Sequence, residues 1–216
     1  QAFNTFGQDV VAIWRLDDIG KRKFSVETDV QRLVAGINGV AGDWDWDAAV
    51  NLARSKTVEN GKNFVLTQAL GDALNNDTYN PFDITSNSAA VLDPIRTDIK
   101  RTGISELAGI DAKASTEITQ FENGPVALAI GIDRRYESMS DKPDSQTEQG
   151  LVWARGGTSV DGDRTSTSLF AEVNLPLAED LEMQLAARYE DYSVFGNTTN
   201  PKVALRYQPT NNFLLR

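Results

Sequence analysis

The 216-residue sequence contains neither cysteine nor histidine. Without cysteine there is no disulfide framework, thiolate metal site or thiol nucleophile. Without histidine the commonest general base and metal ligand is missing, so a Ser-His-Asp triad, an HExxH zinc site and His-ligated haem cannot be assembled from these residues. No run of about 18 apolar residues occurs, which excludes a spanning helix but not spanning strands, whose individual signals are weak. Positive charge is also scarce: 21 Lys and Arg against 31 Asp and Glu leave a formal net charge of −10. Such a chain lacks the basic surface that neutralises phosphates, so nucleic acid is not an expected partner. Gln1 is not followed by a charged segment and an apolar core, so no signal peptide is read, and the chain is expected to be a processed product or an excerpt.

What is present is order and alternation. A hydrophobic fraction of 40% and a charged fraction of 24% match an ordinary folded chain. Between Leu181 and Tyr192, Leu181, Met183, Leu185, Ala187 and Tyr189 fall on one side, and Glu182, Gln184, Ala186, Arg188 and Glu190 on the other. This is the period of two expected of a strand with unlike faces. The same pattern places Trp44, Trp46, Ala48, Val50 and Leu52 opposite Asp45, Asp47, Ala49 and Asn51, with Leu33, Ala35 and Ile37 just before them. It recurs in Ala108 to Ile118, Val126 to Tyr136, Leu169 to Leu175 and Val203 to Tyr207, and these segments pair into hairpins around short turns.

Every second connection is brief, whereas residues 58–104 and 138–163 form long intervals; only 193–200 breaks the asymmetry. In the first interval Val65, Leu66, Ala69, Leu70, Ala73 and Leu74 recur at helical spacing, and Leu92, Ile95 and Ile99 suggest a second helical piece after Ser86 or Ser88. Segments 11–16 and 23–28 are read as a further hairpin.

Alternation alone serves a soluble β-sandwich and a membrane wall equally. Strands of roughly 10 to 13 residues, against the five or six usual in globular proteins, favour crossing a bilayer. So do a polar face that mixes both charges with Gly, Ala and Ser, and aromatic residues near strand ends. Girdle candidates are Trp44, Trp46 and Phe121, with Phe213, by the short turns, and Tyr136 and Tyr189 toward the other end. Candidates for the lumen face are Asp111, Lys113, Asp133, Arg135, Glu172, Arg188, Glu190, Lys202 and Arg206.

Several stretches carry a family resemblance: Gly42 to Asp47, Tyr79-Asn80-Pro81-Phe82-Asp83, Gly131 to Glu137, Arg164 to Val173, Arg188 to Tyr192 and Asn200 to Tyr207. Together they resemble the barrel of TonB-dependent outer-membrane receptors. The resemblance implies a Gram-negative outer membrane, a barrel of about 22 strands, a plug domain inside it, and import of a scarce ligand powered by the TonB complex. No plug-like sequence, TonB box or closing terminal aromatic residue is found, so residues 1–216 are expected to be a middle part of such a barrel, incomplete at both ends. The expected fold is an all-β antiparallel meander of about 8–9 long strands with short helices in one long extracellular loop.

No catalytic, cofactor-binding or metal site is assigned. Asp161-Gly162-Asp163 lacks the spaced ligands and distal Glu of a calcium loop, and Gly156-Gly157 lacks the strand and helix of a nucleotide fingerprint, so both read as loop turns. Carboxylates at Asp133, Glu137, Glu172 and Glu190 have basic neighbours at Lys113, Arg135, Arg188 and Arg206, a pattern of ion pairs rather than acid-base chemistry. The expected partners are outer-membrane lipid, the receptor's own plug, the TonB complex and a nutrient: siderophore, cobalamin, oligosaccharide or peptide. Its contacts are expected from 60–104 and 138–163, because loops commonly carry function. The rival reading is a soluble or surface-attached β-sandwich that binds carbohydrate; an outer-membrane hydrolase is a third, weakened by the absent histidine.

Overall fold

The computed structural model describes residues 13–216. Eight strands form one sheet hydrogen-bonded in chain order: β1 (Lys23–Ala41), β2 (Trp44–Val65), β3 (Arg96–Phe121), β4 (Gly124–Pro143), β5 (Val160–Ala178), β6 (Leu181–Tyr192), β7 (Gly196–Thr210) and β8 (Phe213–Leu215). The all-β meander expected from alternation is therefore present. Among the described residues no helix is long and apolar enough to cross a membrane.

The strands exceed the expected length, since β3 alone has 26 residues. Segments first assigned to long loops are continuations of strands, which shortens the connections to residues 66–95 and 144–159. Asp161 and Asp163 accordingly lie on β5, not in a loop turn, and Ile99 lies on β3, not in a helix. The second helix is only Ala89–Leu92, while α1 (Thr67–Asn75) sits where helical spacing placed it. Of the N-terminal hairpin, Lys23 to Thr28 begin β1, residues 13–16 are not strand, and Val11 and Ala12 lie outside the described residues. A polar continuation such as Thr97 to Thr102 has no amphipathic signal, so its strand state depends on pairing with neighbours.

At one end each turn is two residues long, at 42–43, 122–123, 179–180 and 211–212. Gly42 has φ 62, a left-handed value that a side chain at this turn would disfavour.

Two compact units emerge. One holds Thr28–Lys56, Gly103–Ser140 and Val160–Arg216. In it β5 and β6 pair antiparallel from Ser166↔Tyr192 to Ala178↔Leu181, and β6 and β7 from Leu181↔Tyr207 to Tyr192↔Gly196. Directly opposed residues share a face, so Leu169, Tyr189 and Thr199 line up, as do Val173, Leu185 and Val203. Leu169 (52%), Val203 (69%) and Leu205 (53%) remain exposed, whereas Ser168 is 2% exposed and Asp133 9%. This inverts the usual rule for a water-soluble sheet, in which the apolar face is covered.

The other unit holds the described residues up to Glu27, Thr57–Thr102 and Asp141–Ser159, and it carries most of the buried apolar residues. Ile19, Val65, Leu70, Tyr79, Leu92 and Ile95 form one cluster, and Phe64, Ile99 and Val152 another. Backbone bonds close it: Leu66 N donates to Ile95 O (2.9 Å), Thr67 N to Leu151 O (2.9 Å) and Trp153 N to Val65 O (2.8 Å).

Phe170 covers Gly131: a Cβ at residue 131 would lie 2.3 Å from the Phe170 ring and 3.0 Å from Ala112 O. Ala at position 131 must therefore displace the ring, and Gly131→Ala is expected to destabilise the folded barrel by about 1–3 kcal/mol, read as a lower urea midpoint in detergent. An unchanged midpoint would mean the ring moves freely.

Candidate functional site

Two arrangements are candidates for function: the polar face of the sheet and the loop unit. On the polar face the structure joins most of the charged residues expected at a lumen. Lys113 Nζ lies 3.5 Å from Asp47 Oδ2, and Arg135 Nε donates to Asp133 Oδ2 at 3.0 Å. Arg188 donates from Nε to Glu190 Oε1 (2.9 Å) and from Nη2 to Ser168 Oγ (3.0 Å), so three residues from β5 and β6 close a small network. Gln184 links two more: its amide donates to Glu172, and its carbonyl accepts from Lys202 Nζ at 2.6 Å. Arg206 Nη1 lies 3.4 Å from Glu182 Oε1, its directly opposed residue. Asp111 is half-buried on β3, with no ion pair among the described residues. Pairs of this kind in contact with water are individually worth about 0–1 kcal/mol. Their evident effect is to leave few free charges for proton transfer.

The girdle candidates stand at both strand ends. Trp44 opens β2, Phe121 closes β3 and Phe213 opens β8, all next to two-residue turns. Trp46 packs over Gly39, where an added Cβ would meet its ring at 3.0 Å. Tyr136 and Tyr189 lie farther from the turns, both exposed. Beyond Leu52, the residue two places on along β2 is Arg54, paired with Glu106 at 3.1 Å, so the apolar row starting at Trp44 stops there. Such a row of about 9 residues matches a tilted bilayer crossing.

In the loop unit, the Tyr79-to-Asp83 motif serves architecture. Asn80 Oδ1 accepts from Phe82 N (3.0 Å) and Asp83 N (3.1 Å), while Asp83 Oδ1 accepts from Thr85 N (3.2 Å). Tyr79 is buried and donates to Asp18 Oδ1 at 3.2 Å; burial, reinforced by that carboxylate, pushes its phenol up to about 12. Asp144 ties the second loop to β3. Its carboxylate accepts from Lys100 N (2.8 Å), Gln146 N and Thr147 N (3.0 Å each) and the Thr147 hydroxyl (3.0 Å). Burial alone would raise the Asp144 carboxyl, but these bonds outweigh it and hold it below the usual range.

Sequence reasoning singled out no residue in the loops. The structure singles out Phe24, Phe64 and Arg155: the two rings meet edge to face with centroids 5.5 Å apart, and Arg155 Cζ stands 5.2 Å from the Phe24 centroid. Their signal was weak, because Phe24 lies in no amphipathic run and Arg155 follows two glycine-flanked turns. Among the described residues no group of three or more acidic residues is placed to hold a metal ion.

An exposed apolar face, a cross-linked polar face and short turns alternating with longer loops define a wall of a transmembrane β-barrel. A family model described as TonB dependent receptor-like, beta-barrel matches residues 4–216, and the chain belongs to that family, whose members are receptors rather than enzymes. The fold is similar to the RagAB peptide transporter, at 13% identity and TM-score 0.60, over 86% of this chain and 20% of that one. It is also similar to the pyoverdine outer membrane receptor FpvA from Pseudomonas aeruginosa PAO1 bound to pyoverdine, at 15% identity and TM-score 0.54, over 87% of this chain and 28% of that one. The chain thus spans about a fifth to a quarter of these proteins. No curated relative matches in sequence.

Asp144 yields a pH prediction. A carboxyl held below its unfolded value contributes stability that is complete above about pH 5 and is lost as pH falls through the folded value. Amide exchange at Lys100, Gln146 and Thr147 should accelerate on acidification below about pH 4. In Asp144→Ala it should be fast at every pH, with a loss of about 1–2 kcal/mol; slow exchange in the variant would assign the loop's order elsewhere.

Proposed function

We propose that the chain is the middle part of a longer receptor barrel in the outer membrane of a Gram-negative bacterium, which binds a scarce nutrient and imports it with TonB-supplied energy. In this reading the plug and the TonB-contacting segment belong to other parts of the receptor. The observation that carries it is the sheet with its apolar face open and its buried residues polar. A soluble carbohydrate-binding sandwich would cover that face with a second layer. Family membership supports the receptor class, and the fold neighbours transport a peptide in one case and bind pyoverdine in the other.

Leu169, Leu185, Val203 and Tyr189 then face lipid, and Asp111, Lys113, Asp133, Arg135, Glu172, Arg188, Glu190, Lys202 and Arg206 face the lumen or the plug. Trp44, Trp46, Phe121, Phe213, Tyr136 and Tyr189 mark the two interfaces. The nutrient enters past the loops, is held at the mouth, and passes inward when TonB pulls on the plug. No step needs a bond-making residue in this segment.

The full receptor should fractionate with the outer membrane and migrate as a heat-modifiable species. Its ligand, recovered from solubilised receptor, should accumulate in cells only while the TonB complex is intact. Recovery as a soluble protein, or uptake indifferent to TonB, would overturn the proposal. Leu185→Arg is expected to lose about 2–4 kcal/mol of folding stability in bilayers, and Ala186→Arg, one residue on, much less. Equal losses would contradict the assigned faces.

A further inference from the structure

The loop unit holds an aromatic and cationic stack that the barrel architecture does not require. Arg22 Cζ stands 5.0 Å from the Phe64 centroid; Phe64 meets Phe24 edge to face, and the Arg155 guanidinium covers Phe24. Arg155 Nη2 donates to Glu59 Oε1 at 2.8 Å, which fixes the guanidinium over the ring. The two rings differ in burial: Phe64 is 1% exposed, as a purely structural ring should be, whereas Phe24 is 51% exposed. An open aromatic surface held by an oriented cation can accept a second flat group.

The charge around it has one dominant sign. Lys21, Arg22 and Lys23 are consecutive and exposed, in a chain whose net charge is −10. None of the three forms an ion pair among the described residues, and Glu59 is the carboxylate already paired to Arg155. Asn63 Nδ2 donates to Lys21 O at 2.8 Å and packs against Gly20, which anchors the basic triplet to the end of β2. Clustered unpaired cations raise the local anion concentration, and arginine in particular recognises carboxylate and related planar anions.

We infer that Phe24, with Arg22 and Arg155, forms a binding platform for a ligand carrying both an aromatic ring and an anionic group. The ring stacks on the open part of Phe24, and the anion is held by Arg22 and the flanking lysines. The inference rests on the receptor reading and adds the chemical class of what the receptor takes at its loops. A phospholipid or lipid A headgroup also offers an anion but no ring, so the two sources separate experimentally.

The test uses the full solubilised receptor titrated with 2-naphthoate, with neutral 2-naphthamide and with cyclohexanecarboxylate. Naphthoate should bind more tightly than either analogue. Phe24→Ala should weaken it roughly tenfold, the scale of one lost stacking partner, and Phe24→Tyr should restore it. Arg22→Gln should weaken naphthoate but not naphthamide. Because Arg155→Gln alone strands Glu59, the Glu59→Gln/Arg155→Gln pair serves as the second variant and should also weaken naphthoate, with heat-modifiable migration retained. Binding without preference for the ring, binding unaffected by Phe24→Ala, or displacement of the interaction by phosphatidylglycerol vesicles would overturn the inference. TonB-dependent uptake without naphthoate binding would sink this inference and leave the receptor reading standing. Phe24-dependent naphthoate binding in a receptor whose uptake ignores TonB would do the reverse.

Discussion

The structure depends on a sheet in which each strand's backbone is satisfied by its neighbours while the side chains of one face have no protein partner. Backbone N–H and C=O groups cannot be left unpaired in hydrocarbon, so a wall exposed to lipid must be a hydrogen-bonded ladder. The in-register pairing of β5 with β6 and of β6 with β7 supplies that ladder. Once register is set, a shift of one residue would exchange Leu185 and Val203 for the charged row of Glu190, Arg188 and Lys202. The charged contacts on the polar face thus matter more for register than for total stability, since a slip would break Arg206–Glu182 and Lys202–Gln184 together.

The loop unit obeys the opposite solvent logic. Phe64, Val65, Leu70, Ile95 and Val152 are buried as in a small water-soluble domain. Its polar side chains carry fixed tasks: Asp144 receives four hydrogen bonds, and Asn80 and Asp83 hold successive turns. A loop organised this way can present side chains in defined positions, which is what recognition by an entrance surface requires. The stack at Phe24 illustrates it, with an ion pair orienting one arginine and a buried ring supporting an exposed one.

Much of the fold was legible because alternation is a local property. Trp44 to Leu52 and Leu181 to Tyr189 declare their faces by composition alone, and Gly42 marks its turn through a backbone angle that glycine tolerates. The pairing of charges was legible as a tendency, although Arg135 and Arg188 prove to bond along their own strands, to Asp133 and Glu190, rather than across. Strand ends were not legible. Arg96 to Gly103 and Ser138 to Pro143 have no clean period, and they become strand because long neighbours hold them in place.

The sequence by itself determined the strand faces, the absence of thiol and imidazole chemistry, the short turns and the membership in a receptor barrel, because each follows from residue type and near spacing. Only the tertiary structure decided where the loops begin, which residues bury the loop unit, and that Phe24, Phe64, Glu59 and Arg155 meet. Those contacts join residues far apart in the chain, and no local pattern encodes which distant side chain will stand over a given ring.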